Sequence, residues 1–349
     1  MRVLGIETSC DECAAAVVEN GEIILSNIVM TQIPFHAPWS GVVPEIASRK
    51  HIEWIYAVAK EAIEKAGLSV ESINAVAVTS SPGLLGSLLV GLTFAKAFAW
   101  ARNIPYIAVD HMLAHLYAPR LMTDLSNSQF PVPIQKSGYP FLGLLVSGGH
   151  TIICKADNFD DITVLGTTID DAVGEAFDKV AKYYSFGYPG GTVIDKMANY
   201  GNSEAFHFPM PSLHKGDHRY DVSYSGLKNA VINQLDLFKK KKNPHTNEDI
   251  AASFQKTAVD ILLRALFNAA EDTGLTTIVA GGGVAANSYL RSRLSRQTHL
   301  HCIFPPIELC GDNGAMIAGI GYQYLARGET SPLNLTASAK VSGFKKKYP

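Results

Sequence analysis

One stretch near the start of the chain is restated far along it, and that repetition limits the architectures open to this sequence more than any other feature. Val3-Leu4-Gly5-Ile6-Glu7-Thr8-Ser9 and Phe141-Leu142-Gly143-Leu144-Leu145-Val146-Ser147 are both strand-like runs with glycine third and a hydroxyl at the end. Each leads through a turn into a second apolar run, Ala14–Val18 in one case and Thr151–Cys154 in the other. Standing at the head of each half of a 349-residue chain, they predict a duplicated domain, and the length alone calls for two hydrophobic cores. Between the copies, Ala75–Val78, a helix over Leu88–Ala101 and Tyr106–Val109 read as a β-α-β unit, which requires parallel strands. The expected fold is α/β, with a first domain over residues 1–135 and a second over 136–313 that carries helical insertions. A closing segment at about 314–345 is expected to pack back on the first domain. The polar, proline-bearing stretch Thr123–Pro140 is the expected connection.

Smaller elements follow from local patterns. Asn20-Gly21 marks a hairpin turn after the second strand. From Glu45 to Ala66, apolar residues at near-helical spacing (Ile46, Ile52, Ile55, Ala59, Ala62, Ile63, Ala66), stopped by Gly67, predict a long amphipathic helix. Further helices are expected over 170–184 and 249–273, from Ser223-Tyr224-Ser225-Gly226 to Phe238, and over 314–326. Strands are expected over Thr276–Ala280 and Cys302–Pro306.

Composition excludes several function classes. With 47% hydrophobic and 18% charged residues and a net charge of −2, the chain offers no bulk electrostatic case for binding nucleic acid or a membrane surface. An RNA partner would need local patches or a second protein to supply positive charge. Five scattered cysteines fit a reducing compartment better than a disulfide framework, and Cys10-Asp11-Glu12-Cys13 has no second C-x-x-C to complete a zinc site. The uncharged run Ser72–Ala95 is long enough to span a bilayer, but the polar turn Thr79-Ser80-Ser81-Pro82-Gly83 divides it into a strand and a helix. Glu7 interrupts the only candidate signal sequence, so a cytoplasmic protein with no membrane partner is expected.

Chemistry-bearing residues cluster at the ends of the expected strands. His111 and His115 follow the Tyr106–Val109 strand and share one face of a helix, so both rings can reach one metal ion. With 11 histidines such a pair also arises by chance, and a third ligand is needed. Asp312, in Cys310-Gly311-Asp312-Asn313-Gly314, is the candidate, although an aspartate at a helix start serves equally as an N-cap. Thr8, Ser9, Asp11 and Glu12 sit at a strand-to-strand turn that either presents them to a ligand or is a solvated hairpin tip. Ser147-Gly148-Gly149-His150-Thr151 lets backbone N–H groups approach an anion closely, and is a stronger candidate than the Gly83/Gly86 turn, which lacks a Walker lysine. Asp171, Glu175 and Asp178 fall on one helical face, to be opposed by lysines, a metal or ligand hydroxyls. Gly281-Gly282-Gly283 implies backbone or an adenosine-type ligand at very close approach. Lys239–Lys242 is either a solvated helix end or an RNA contact.

Taken together these motifs resemble the tRNA adenosine threonylcarbamoyltransferases known as TsaD, within the superfamily of actin, sugar kinases and heat-shock ATPases. The resemblance rests on Glu7–Glu12, His111-x-x-x-His115, Leu145–Thr151, Asp171-x-x-Gly174-Glu175-Ala176-Phe177-Asp178-Lys179, Tyr188–Gly191, Ser223–Lys228, Gly281–Asn287 and Asp312–Ala315, which span nearly the whole chain. It implies two duplicated actin-like (ribonuclease H-like) α/β domains with a ligand cleft between them. It implies that His111, His115 and Asp312 bind one divalent metal, iron(II) or else zinc. Leu145, Val146, Ser147, Gly148, Gly149, Asp178, Gly191, Asp195 and Asn287 would hold threonylcarbamoyl-AMP, with ATP, ADP or AMP as further ligands, and Asp11 and Glu12 would be catalytic. Implied partners are tRNA, a TsaB-like paralogue and a TsaE-like ATPase. Cys13 stands where the family usually has threonine, and Ala285-Ala286 replaces a common Gly-Ala. The alternatives are a metal-dependent ATPase or kinase of the superfamily, a non-catalytic nucleotide-binding partner, and a zinc peptidase. The last is disfavoured because Met112 stands where a zincin needs glutamate.

Overall fold

The computed structural model describes residues 1–123, 138–211, 213, 218–240, 245–341 and 343–345. They form two compact units, Met1–Ser137 with Pro305–Phe344, and Gly138–Phe304 with Lys345–Pro349.

The first unit contains β1 (Arg2–Glu7), β2 (Glu12–Glu19), β3 (Ile23–Thr31), α1 (Ile33–His36), α2 (Pro44–Lys65), β4 (Ala75–Ser81), α3 (Leu85–Arg102), β5 (Tyr106–Asp110), α4 (His111–Tyr117) and β6 (Met122–Thr123). The second contains β7 (Phe141–Val146), β8 (Thr151–Ala156), β9 (Ile162–Thr167), α5 (Val173–Tyr184), α6 (Gly190–Ala198), α7 (Ser225–Lys240), α8 (Asn247–Thr273), β10 (Thr277–Gly281), α9 (Ser288–Ser295) and β11 (His301–Ile303). The closing helix α10 (Gly314–Ala326) belongs to the first unit.

The duplication predicted from the two strand heads is present in the sheets. The first runs β5-β4-β1-β2-β3-β6 and the second β11-β10-β7-β8-β9, so five strands recur in the same spatial order. The directions recur too. The meanders β1-β2-β3 and β7-β8-β9 are antiparallel, and β4 and β10 join the first strand of each meander in parallel. The β-α-β reading of β4, α3 and β5 holds, since these strands pair in parallel. Asn20 and Gly21 both take positive φ, as the tight turn between β2 and β3 requires. Strand β9 was not anticipated: only Ile162 and Gly166 in it are buried, too short a pattern to read.

Both faces of the first sheet are covered, which is why β1 and β4 read as unbroken apolar runs rather than alternating ones. Leu4, Ile6, Val76 and Val78 pack with Ile55, Val58, Ala59 and Ala62 of α2 and Leu92 and Ala95 of α3. On the other face α10 lies against bare backbone: a Cβ on Gly5 would stand 2.1 Å from the carbonyl oxygen of Gly314. That contact explains the glycine third in this strand. In α2 the buried face runs Ala47, His51, Ile55, Val58, Ala59, Ala62 and Ile63. Ile52, expected inside, is 66% exposed; a polar ring one position earlier holds the inward place. The 123–140 connection lies almost wholly outside the described residues, as do the side chains of the basic run 239–242. Among the described residues no helix is long and apolar enough to cross a membrane.

Candidate functional site

Strand β5 ends on Asp110, which caps α4: its Oδ1 accepts from the N–H groups of Met112 (2.9 Å) and Leu113 (3.3 Å), and its Oδ2 from that of Gly343 (3.1 Å). The cap starts the helix at His111, so His111 and His115 stack on one face with ring centroids 4.6 Å apart. At the head of α10 the capping residue is Asn313, not Asp312; its Oδ1 accepts from the Met316 N–H at 3.0 Å. Relieved of capping, Asp312 turns its carboxylate to the histidines. Its Oδ1 lies 3.2 Å from His115 Nε2 and 3.4 Å from His111 Nε2, and the two Nε2 atoms are 3.1 Å apart. Two ligands each about 2.0–2.1 Å from one metal stand about 2.9 Å apart at a right angle and about 3.4 Å apart at the tetrahedral angle. The triangle of two nitrogens and one oxygen therefore fits a single divalent ion.

Behind His111 stands a residue that the sequence does not single out as a site residue. Glu7, the last residue of β1, is 0% exposed. Its Oε1 accepts from the Ser9 N–H at 2.5 Å; its Oε2 accepts from the Thr79 hydroxyl at 2.5 Å and lies 2.9 Å from His111 Nδ1. A carboxylate there keeps the proton on Nδ1 and leaves the Nε2 lone pair pointing at Asp312 and His115, the usual support for a metal-ligating histidine. The signal was legible: a single charge ending an otherwise apolar strand. Among the described residues His115 has no matching support, since its Nδ1 is buried without a hydrogen-bond partner.

The electrostatics agree with this arrangement. Burial opposes charge on His111, yet the Asp312 and Glu7 carboxylates beside it hold its pKa well above the ordinary imidazole value. Burial, and then the charge of His111, push His115 down. Burial acts against ionisation of Asp312, but the two imidazoles hold it far below the carboxylate range. The two carboxylates thus favour positive charge at the point where the three side chains converge.

Asp11 ends the turn from β1 into β2 and Glu12 opens β2, and this is not a solvated tip. Asp11 is buried, and Glu12 accepts from the Thr31 hydroxyl at 3.2 Å. Burial, then the neighbouring Asp11 and Asp312 carboxylates, raise the Glu12 pKa well above the usual carboxylate value. Thr8 donates to the Ser87 carbonyl and belongs to the packing.

In the second unit, Leu145 and Val146 end β7 in the core, and Ser147 to His150 close a tight turn. The Ser147 N–H donates to the His150 carbonyl (2.9 Å), and the His150 N–H to the Ser147 hydroxyl (3.1 Å). Gly148 and Gly149 form its exposed tip, with open space where side chains would be. Two further glycines clamp its base. A Cβ on Gly174 would meet the Ser147 carbonyl oxygen at 2.5 Å, and one on Gly282, at φ +91°, the Val146 carbonyl oxygen at 2.4 Å. The middle glycine of the triplet is thus explained by backbone approach rather than a ligand, while Gly283 remains exposed.

Asp178 accepts from the Gly190 N–H at 2.7 Å, beside Gly191 at the start of α6. At the other end of α6, Asp195 accepts from the N–H and hydroxyl of Ser288 and from Asn287 Nδ2; Asn287 also donates to Gln255 (2.8 Å) and caps α9. The expected carboxylate face of α5 does not form as such. The helix begins at Val173, so Asp171 lies ahead of it and pairs with Lys179 (2.7 Å) and Lys228 (2.6 Å), and Lys179 also reaches Glu175. These lysines answer the repulsion between the carboxylates.

The pattern of the TsaD family, described as tRNA N6-adenosine threonylcarbamoyltransferase, matches residues 23–319. The chain belongs to the TsaD family. A tRNA N6-adenosine threonylcarbamoyltransferase of Treponema denticola is 63% identical over 347 residues, covering 99% of both chains. Proteins of the same name from Treponema pallidum and Borreliella burgdorferi are 53% and 49% identical, covering 95% and 96% of their own lengths and 99% and 100% of this chain. Among solved structures, HypF of T. kodakarensis shares the fold at 14% identity (TM-score 0.60, 93% of this chain, 48% of HypF). Component A of the (R)-2-hydroxyglutaryl-CoA dehydratase of Acidaminococcus fermentans does so at 13% (TM-score 0.55, 93% of this chain, 99% of that one). The duplicated sheets are thus of the actin-like ATPase type, and the TsaD activity is that of a transferase modifying adenosine in tRNA.

Proposed function

We propose that this TsaD enzyme takes the threonylcarbamoyl group from threonylcarbamoyl-AMP and places it on N6 of the adenosine just 3′ of the anticodon, in tRNAs reading codons that begin with A. The observation that carries the reading is the His111–His115–Asp312 triangle with Glu7 behind it. These three residues would hold one divalent ion, iron(II) by preference and zinc as the alternative, because two imidazoles and one carboxylate with open positions suit both. When bound, the ion supplies Lewis acidity toward oxygens of the intermediate.

The remaining work falls to the chain. AMP is a good leaving group and the exocyclic amine a poor nucleophile, so positioning and charge stabilisation are what the protein must provide. The Gly148 and Gly149 N–H groups, at the open tip after Leu145 and Val146, face the phosphate, with the Ser147 hydroxyl beside them. Asp178, Gly191, Asp195 and Asn287 hold the adenylate, the carboxylates accepting from ribose hydroxyls. The amine nitrogen bonds to the carbonyl carbon, the bond from that carbon to the phosphate oxygen breaks, AMP departs, and the amine proton passes to Asp11. Glu12, whose ionisation is opposed by burial and by the neighbouring carboxylates, is the second candidate for that proton. With a net charge of −2 the chain needs help to grip tRNA, and a TsaB-like paralogue and a TsaE-like ATPase in the cytoplasm are the proposed partners. ATP, ADP and AMP would compete for the same loops.

Supplying threonylcarbamoyl-AMP and unmodified tRNA, with and without those partners, and digesting the tRNA for mass spectrometry tests the reading. Threonylcarbamoyladenosine is expected with wild-type protein and not with His111→Ala. No product even with the partners present would overturn it.

A further inference from the structure

The turn that carries Asp11 is held in an unusual way. Three successive carbonyls in it each accept a hydrogen bond from a different part of the first unit: Ser9 from the Leu84 N–H (2.8 Å), Cys10 from His51 Nε2 (2.9 Å) and Asp11 from the Gln32 N–H (2.9 Å). Two of these donors are main-chain groups, present whatever residue occupies the position. The third is a side chain, reaching from the middle of α2.

His51 is a costly residue for its place. It is fully buried in the face of α2 that packs on the sheet, where every other inward residue is Ala, Val or Ile. Its Nδ1 is buried with no hydrogen-bond partner among the described residues. A residue chosen for packing alone would avoid stranding a ring nitrogen. What distinguishes His51 from leucine here is the single N–H it directs at the Cys10 carbonyl. Gln32 is committed as well: its side chain bonds the Ala47 carbonyl and faces His36, so its own N–H is fixed toward Asp11. On the far side, Gly83 lets α3 approach the turn, since a Cβ there would stand 2.6 Å from the Ser9 carbonyl oxygen.

We propose that His51 is a positioning residue for the transfer reaction: by holding the Cys10 carbonyl it sets the peptide plane leading into Asp11, and so the point from which the Asp11 carboxylate meets the amine proton. It touches neither substrate nor metal ligand. The inference rests on the role given to Asp11 above. Its effect belongs in kcat, because displacement of a proton acceptor by about 1 Å costs on the order of 100-fold in rate while leaving donor binding intact.

The amide nitrogen of glutamine reaches as far along the side chain as imidazole Nε2, whereas that of asparagine stops near Nδ1. His51→Gln and His51→Asn therefore separate the hydrogen bond from polarity and size, and remain informative should His51→Leu fail to fold. In the full chain with its partners, His51→Asn is expected to lower kcat about 10- to 100-fold with KM for threonylcarbamoyl-AMP and bound metal unchanged, and His51→Gln to stay within about threefold of wild type. A second readout is independent of turnover: hydrogen exchange of the peptide covering residues 8–13 should quicken in His51→Asn and not in His51→Gln. Equal kcat and equal exchange in the two variants would overturn the proposal, as would loss of metal in step with kcat. If wild-type protein made no product while exchange still separated the variants, the transferase reading would fail and the anchoring by His51 would stand.

Discussion

Replacing Glu7 with glutamine should cost metal affinity through a proton rather than through shape. Three donors converge on the Glu7 carboxylate: the Ser9 N–H on Oε1, and the Thr79 hydroxyl and His111 Nδ1 on Oε2. Glutamine offers one acceptor oxygen and one NH2 group in the same volume. The Ser9 N–H cannot reverse, so the oxygen must stay on its side and the NH2 must face Thr79 and His111. The Thr79 hydroxyl can rotate to accept. His111 can accept only by moving its proton from Nδ1 to Nε2, the atom that points at Asp312 and His115. Loss of such an orienting partner costs about 10- to 100-fold in metal affinity, which is about 1.4–2.7 kcal/mol. Competition against a chromophoric chelator measures it, with circular dichroism confirming the fold. Unchanged affinity in Glu7→Gln, alongside lost binding in His111→Ala, would refute the claim that Glu7 sets the tautomer.

Other consequences are as direct. In Gly174→Ala the new methyl would stand 2.5 Å from the Ser147 carbonyl oxygen; displacing that turn should weaken binding of a non-hydrolysable adenylate analogue by about 10-fold or more, with metal content unchanged, as calorimetry would show. Asn313→Ala removes the cap of α10 and should cost about 1 kcal/mol in denaturant unfolding; because Asp312 adjoins that cap, metal affinity should fall too. Burial lowers the His51 pKa below its ordinary value, so below about pH 6.5 the unfolded chain binds the extra proton more readily. The contribution of His51 is therefore complete above that pH and is lost as pH falls toward the lowered folded value. The stability of wild type relative to His51→Gln should decrease across that fall in urea titrations, and a constant difference would contradict it.

How much of this could be read beforehand depended on whether the deciding contact was local. The strand heads, the hairpin turn at Asn20-Gly21 and the β-α-β unit are set by residues close in sequence, and their pairing is as expected. The duplication was legible in the two echoed heptapeptides, whereas the strand order common to both sheets needed the structure. Phase within α2 was less legible, because His51 takes the inward place for a bond to Cys10, 41 residues away, and so pushes Ile52 out. At α10 the sequence left Asp312 open between ligand and cap: Asp312 and Asn313 are equally good caps, and only the histidines brought up by α4 separate their tasks. Asp171 was placed on a helical face although the helix starts two residues later, with lysines from both α5 and α7 drawing its carboxylate aside. The glycine triplet was rightly read as a close approach, but the partner at Gly282 is the end of β7. Glu7 was marked locally as the one charge ending an apolar strand, but its task depends on the contact between β1, β4 and α4, which no local pattern carries.

The most direct test of the account is a titration of iron(II) into metal-stripped protein, anaerobically, in the presence of its partners, threonylcarbamoyl-AMP and tRNA, reading threonylcarbamoyladenosine formed against metal bound. Product should rise with occupancy and level off at one ion per chain, and His115→Ala should show neither. Full turnover by the stripped protein, or binding of one ion per chain that His115→Ala leaves untouched, would contradict it.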